Sequence, residues 1–187
     1  LARRFQIPLS EVLSDAKHGD HTHFELITVT ITLDDGSQGT GYTYTGGKGG
    51  HAIRAMVEHD LAPMLTGRDA TDIDALYDAM QWHVHYVGRG GIASFAISAV
   101  DIALWDLKGK IVGLPVYRLL GGDRTKVPVY ASGGWTSYSD DQLVDEMKGM
   151  VARGFKAIKF KLGVDGGRNP RRDAQRVRKV REAVGPD

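Results

Sequence analysis

The chain has 187 residues, 42% of them hydrophobic and 25% charged, with no cysteine and a formal net charge of +1. This is the composition of an ordinary globular protein of one or two domains, and the balanced charge gives no electrostatic argument for a nucleic-acid or membrane partner. The lack of cysteine excludes a disulfide framework and thiolate chemistry and fits a cytoplasmic location, and no apolar run or leader pattern suggests a membrane span or a signal peptide.

In chain order, "LARRFQIPLSEV" (1–12) reads as the middle of a strand and loop rather than a natural start. "HGDHTH" (18–23) offers three histidines in a Gly-containing loop, a setting in which such clusters are usually only polar. "FELITVTITL" (24–33) and "GTGYTYT" (39–45) flank the short turn "DDGSQ" and predict an antiparallel hairpin. "GGKGG" (46–50) fails as a phosphate-binding loop, since Lys48 is followed by Gly49 rather than Ser or Thr; it reads as a flexible segment.

Helices follow. "HAIRAMVEHDLAPML" (51–65) is cut by Pro63, and "DATDIDALYDAMQWHVHYV" (69–87) has Asp69 or Thr71 as its N-cap. His83 and His85, two apart on that helix, point in different directions and make a poor chelate. "GGIASFAISAVDIALWDLKGKIVG" (90–113) ends at Gly113. Its Ile92, Phe95, Ala96, Ala99, Ala103 and Leu107 recur at helical spacing and predict the core of an α+β domain. Asp101 and Asp106, five apart, share no helical face and read as structural, capping or pairing with basic neighbours.

"LLGGDRTK" (119–126) is the best boundary, dividing the chain into 1–122 and 123–187. Beyond it come strand "VPVYAS" (127–132), helix "SDDQLVDEMKGMVARG", strand "KAIKFKLG" and helix "PRRDAQRVRKVREAVG". These are two β/α units, the start of a parallel α/β fold. Two parallel strands do not make a viable domain, so more barrel or sheet is expected after Asp187. In the last helix Ala174, Val177, Val180 and Val184 form the expected inward stripe, with the arginines solvated.

Within "FKAIKFKLG" (155–163), Lys159 and Lys161 alternate with apolar residues and share one strand face. They stand near the strand's carboxyl end, where α/β folds place their ligand crevice. Each cation disfavours charge on the other, which suits one of them to act as a base. The competing reading is an edge strand with two solvated lysines.

"AISAVDIALWDLKGKIVGLPVYRLLGG" (96–122) resembles the signature of the mandelate racemase/muconate lactonizing branch of the enolase superfamily. The match runs through Ala96, Ser98, Ala99, Asp101, Ala103, Asp106, Gly109, Lys110, Pro115, Leu119 and Gly121. The resemblance implies an α+β capping domain followed by the start of a modified (β/α) barrel that uses Mg²⁺. It makes Lys161 the base that removes the proton α to a substrate carboxylate, with Lys159 beside it keeping its pKa low. It places Lys17 and His18 on a lid over the barrel mouth, and Tyr44 and Thr45 near the hinge of a second lid segment, all four as substrate contacts. The metal ligands are expected beyond residue 187, and none is assigned within it. "SDAKHGDHTHFEL", "GYTYTGGKGG" and "HYVGRGGIASFAISAVDIALWDLKGK" look most like acid-sugar dehydratases of the talarate/galactarate type. An acid-sugar substrate and a homo-oligomer are therefore expected. The alternatives are a racemase or epimerase using a second acid/base residue beyond residue 187, and a non-catalytic binding module that keeps the capping fold.

Overall fold

Two long strands, β1 (Ala2–Asp15) and β2 (Gly19–Thr32), open the chain in a computed structural model that describes residues 1–186. β2 pairs antiparallel with β3 (Gln38–Thr45), from Glu25 opposite Thr45 to Thr32 opposite Gln38, and the sheet order is β1-β2-β3. The sequence pattern places the 24–33 and 39–45 strands correctly but misses the length of β1. Most of β1 is exposed and it carries Pro8, as an edge strand can, so it lacks a clean apolar alternation.

Two compact units divide the chain: Leu1–Pro8 with His23–Asp123, and Leu9–Thr22 with Arg124 onward. The tip of the β1–β2 hairpin thus belongs to the second unit.

The first unit is built on α4 (Gly91–Val112), whose Ala96, Ala99, Ala103 and Leu107 are buried as predicted, together with Ile97, Val100 and Leu104. Ile92 and Phe95 are instead 42% and 43% exposed. The small residues are there because β3 presses on the helix backbone. A Cβ on Gly41 would stand 2.0 Å from the Ala99 carbonyl oxygen, and one on Gly39 would stand 2.1 Å from that of Ala103. Asp106 ties the two elements together, accepting from the Thr40 amide and from Lys110 Nζ, both at 2.7 Å. Asp101 makes no such pair: burial, and then repulsion from Asp74, push its carboxyl pKa up.

Pro63 does not cut its helix. A π-helical turn, Met56–Leu61, joins α1 (Gly50–Ala55) to α2 (Ala62–Leu65) and puts the proline in the first turn of α2, where its missing N–H is tolerated. α3 (Ile73–His83) is capped by Asp72, whose side chain accepts from the Ala75 amide, rather than by Asp69 or Thr71. After α4, Gly113 takes the left-handed conformation that closes the helix, and the short α5 (Val116–Leu119) follows.

The second unit carries two parallel strands, β4 (Ala131–Gly133) and β5 (Ile158–Phe160), in the register Ala131–Ile158 to Gly133–Phe160. They are shorter than the pattern predicts; residues 127–130 are exposed. α6 (Asp140–Ala152) starts at a reciprocal Ser139/Gln142 cap, and α7 (Pro170–Val184) at an Asn169 cap. Leu143, Met147 and Met150 of α6 pack with Val180 of α7 and Ala131.

The inward stripe of α7 is shifted from the one predicted. Val177 is 42% exposed and Ala174 is exposed, while Arg176 is 1% exposed. The guanidinium turns inward because two backbone carbonyls, those of Trp135 and Tyr138, each accept from it at 2.9 Å. Among the described residues no helix is long and apolar enough to cross a membrane.

Candidate active site

Lys161 follows β5 directly, and its amide donates to the Gly134 carbonyl at 2.9 Å, extending the parallel ladder by one step. Its side chain is 32% exposed. The ammonium lies 3.6 Å from Asp15 Oδ2 and 5.0 Å from the centre of the Trp135 ring.

Asp15 is organised by the hairpin turn it opens. Its Oδ1 accepts from the Lys17 amide at 2.9 Å and the His18 amide at 2.8 Å, the local pattern of an Asx turn. His18 Nδ1 lies 3.0 and 2.9 Å from the two carboxylate oxygens. Burial works to raise the Asp15 pKa, but the His18 amide and ring and the Lys17 amide outweigh it and hold the carboxyl well below the usual range. Asp15 is therefore a fixed negative charge.

The turn is stitched to the loop after β4. The Ser14 carbonyl accepts from the Thr136 amide at 3.0 Å and from its hydroxyl at 2.7 Å, and Ser137 Oγ donates to the Val12 carbonyl at 3.2 Å. Trp135, in the same loop, meets His21 edge-on at 6.0 Å. Glu146 holds that loop from α6 by accepting the Gly134 amide at 2.6 Å, and Arg176 holds it from α7. On the other side, Asp173 accepts the Gly163 and Val164 amides at 3.0–3.2 Å. Gly163 has φ +102°, and a Cβ there would meet the Ala16 Cβ at 2.4 Å, so the hairpin tip needs glycine at this point.

Lys17 and His18 thus sit on a turn anchored beside Lys161, both exposed. Lys159 is exposed and enters no ion pair among the described residues. Tyr44 and Thr45 belong to the first unit. Tyr44 is 61% exposed and edge-on to Phe24 at 6.4 Å, and the Thr45 hydroxyl donates to Glu25 at 2.9 Å. Glu25 is buried there with Arg4 and takes the Gly50 amide at 2.7 Å, which anchors the end of the 46–50 segment.

Asp15, His18 and His21 bring possible metal-ligating atoms within 4.8 Å of one another. They do not fit Mg²⁺, which takes oxygen ligands: the set holds two imidazoles, and its one carboxylate already accepts amide and ring donors beside an ammonium. β4 ends in Gly133 and β5 in Phe160, with Lys161 next, so neither strand ends in a carboxylate. Sequence reasoning missed Asp15, Trp135 and Arg176. Trp135 was findable, standing in the loop just after a predicted parallel strand.

The chain was compared with known families and structures. The family described as mandelate racemase/muconate lactonizing enzyme, N-terminal domain, matches residues 15–121, and the enolase C-terminal domain-like family matches residues 142–187. A 3,6-anhydro-alpha-L-galactonate cycloisomerase of Streptomyces coelicolor is 45% identical over 97% of this chain and 49% of its own length. An L-talarate/galactarate dehydratase of Salmonella typhimurium is 37% identical over 97% of this chain and 46% of its own. A Streptomyces coelicolor racemase solved with bound magnesium superposes with a TM-score of 0.94 at 44% identity, covering 99% of this chain and 51% of that one. The Salmonella dehydratase solved with Mg and L-lyxarohydroxamate gives 0.90 at 36% identity, covering 98% and 48%. The chain spans about half the length of the curated relatives it matches.

Proposed function

The chain belongs to the mandelate racemase/muconate lactonizing enzyme family of the enolase superfamily, and on that premise we propose that the protein removes the proton α to the carboxylate of an acid sugar, with Lys161 as the base and loss of the β-hydroxyl as water. The observation that carries this reading is the placement of Lys161. It stands at the carboxyl end of a parallel strand, partly withdrawn from water, with a hairpin turn set over it.

In this reading Lys161 Nζ takes the α-proton, the electron pair of the broken C–H bond forms the Cα–Cβ double bond, and the β-hydroxyl takes a proton from a general acid and leaves as water; Lys161 then gives up its proton, so none is consumed overall. The enol product then settles to a 2-keto-3-deoxy acid. Such a proton is weakly acidic, so the base must be held close and correctly charged. Lys159, two residues before it and exposed, is proposed as its neighbour in the catalytic pair. Lys17 and His18 offer donors from the turn for the substrate's carboxylate and hydroxyls; Tyr44 and Thr45 are also proposed as substrate contacts. Mg²⁺, bound in the magnesium-containing relatives, would supply the charge that neutralises the substrate carboxylate; none of residues 1–187 is assigned as its ligand.

A second reading, isomerisation instead of water loss, is favoured by the 45% identity to a protein named a cycloisomerase. One experiment separates the two. The full-length enzyme, incubated with galactarate or L-talarate in D₂O, should yield a keto-deoxy acid; an isomerase would return an isomer carrying deuterium at the α-carbon. Lys161→Ala should lose at least roughly a hundredfold in turnover while keeping its fold. Near-normal turnover by that variant across a panel of acid sugars would refute Lys161 as the base.

A further inference from the structure

Glu25, on β2, is a fully buried charge of the first unit that proton abstraction does not use. Its side chain is 3% exposed and pairs with Arg4 of β1. Burial works to raise its pKa, and the Gly50 amide, the Thr45 hydroxyl and Arg4 outweigh it, so the group stays a carboxylate. A buried ion pair by itself adds little stability, so the carboxylate's other bonds decide what it does there.

Those bonds go to the two ends of one segment. Glu25 Oε2 accepts from the Thr45 hydroxyl at 2.9 Å, where β3 stops, and from the Gly50 amide at 2.7 Å, where α1 starts. Three glycines and Lys48 loop out between them. The approach is close: a Cβ on Gly50 would stand 2.6 Å from Oε2, and one on Gly47 would stand 3.0 Å from the carbonyl oxygen of His23, two residues before Glu25. The segment forms one wall of a cleft of about 420 Å³ in the first unit, lined by Tyr44, Thr45, Lys48, Ile53, Ile92 and Phe95 among others. Tyr44 and Lys48 are exposed, and Lys48 is the one charged residue in that lining. A cation beside aromatic and aliphatic walls suits an anionic small molecule.

We propose that Glu25 is a positioning residue for substrate binding: one buried carboxylate clamps both ends of the 46–49 segment and thereby sets where Tyr44 and Lys48 stand at the cleft. The proposal rests on the reading of Tyr44 and Thr45 as substrate contacts. A glycine-rich segment has many paths open to it, and holding its ends on one carboxylate removes most of them before a ligand arrives. Without the clamp, binding must itself order the segment. The clamp therefore acts on affinity and leaves bond-breaking alone.

Two double variants of the full-length enzyme isolate the clamp. Arg4→Met with Glu25→Gln removes the charge pair but keeps a side-chain oxygen for Thr45 and Gly50; Arg4→Met with Glu25→Leu removes that oxygen too. Neither leaves a buried charge unpaired. Amide hydrogen exchange over 46–50, and tryptic cleavage after Lys48, should be faster by roughly tenfold or more in the leucine variant than in the glutamine variant. KM for galactarate or L-talarate should rise by roughly fivefold or more in the leucine variant alone, with kcat within about twofold of the parent. Should leucine loosen the fold, Thr45→Val cuts one arm of the clamp and should quicken exchange over 46–50 in the same way. Equal exchange in the glutamine variant and a folded clamp-less variant overturns the proposal, and so does faster exchange with an unchanged KM. Tyr44→Ala tests the underlying reading separately: an unchanged KM there refutes Tyr44 as a substrate contact, whatever the exchange shows.

Discussion

Replacing Arg176 with methionine removes a charged side chain that is 1% exposed and donates to the Trp135 and Tyr138 carbonyls at 2.9 Å each. A hydrogen bond from a charged donor contributes roughly 1.5–3 kcal/mol net, so the pair accounts for about 3–6 kcal/mol. Against this stands a cost the arginine already carries: its Nε is buried without a partner, a penalty of about 1–3 kcal/mol that methionine relieves. Burial, and then Arg172, push the guanidinium pKa down, yet it stays charged at any usable pH. The difference leaves a net loss between about 0 and 5 kcal/mol, centred on roughly 2.5. Urea unfolding should show a lower midpoint at unchanged slope. In a Trp82→Phe, Trp105→Phe background, Trp135 fluorescence should report a loosened loop before global unfolding. The reasoning is refuted if Arg176→Met is as stable as the parent or more so, the outcome seen when a buried charge costs more than its partners return.

Gly41→Ala should destabilise the first unit by roughly 1–3 kcal/mol or more, since its Cβ would lie 2.0 Å from the Ala99 carbonyl oxygen and 2.5 Å from the Ala103 amide nitrogen; a thermal midpoint equal to the parent's would show that β3 and α4 separate freely. Asp140 is drawn down to about 2, first by its hydrogen bond to Arg172 and then by that to Lys179, both outweighing burial. A carboxyl depressed in the folded state stabilises it above its unfolded pKa, and that contribution disappears as pH falls through the folded value. Arg172→Met should accordingly be less stable than the parent at pH 5, with the gap closing between about pH 4 and 2. A gap that stays constant over that window would assign the loss to packing instead.

What could be read from the sequence was local. α4 announces itself through Ala96, Ala99, Ala103 and Leu107 because one helix face meets one strand, and the glycines of "GTGYTYT" that allow the close approach lie in a recognisable strand. The Lys159/Lys161 alternation likewise lies within a single element. Pro63 and the α7 stripe misled for a shared reason, since each was judged by its own segment's rule. The π-helical turn before Pro63 removes the conflict that a proline causes inside an α-helix. Arg176 is buried because carbonyls in a distant loop receive it, and no helical periodicity encodes that.

The same limit hid the surroundings of Lys161. Its partners come from a hairpin near the chain's start and from the loop after β4, joined by backbone contacts such as Ser14 to Thr136 and Ala16 against Gly163. Periodicity marks Lys161 as one of two similar lysines; the fold distinguishes them, exposing Lys159 and setting Lys161 against Asp15 and Trp135. Once that contact is known, "SDAKHG" has a reading that composition does not supply. Asp15 opens an Asx turn that turns its own carboxylate toward the strand end, so the residue that shapes the turn also places a charge against the lysine. A substitution there would change shape and charge together: an asparagine keeps the turn's acceptor without the charge, and a glutamate keeps the charge but shifts the acceptor by one methylene.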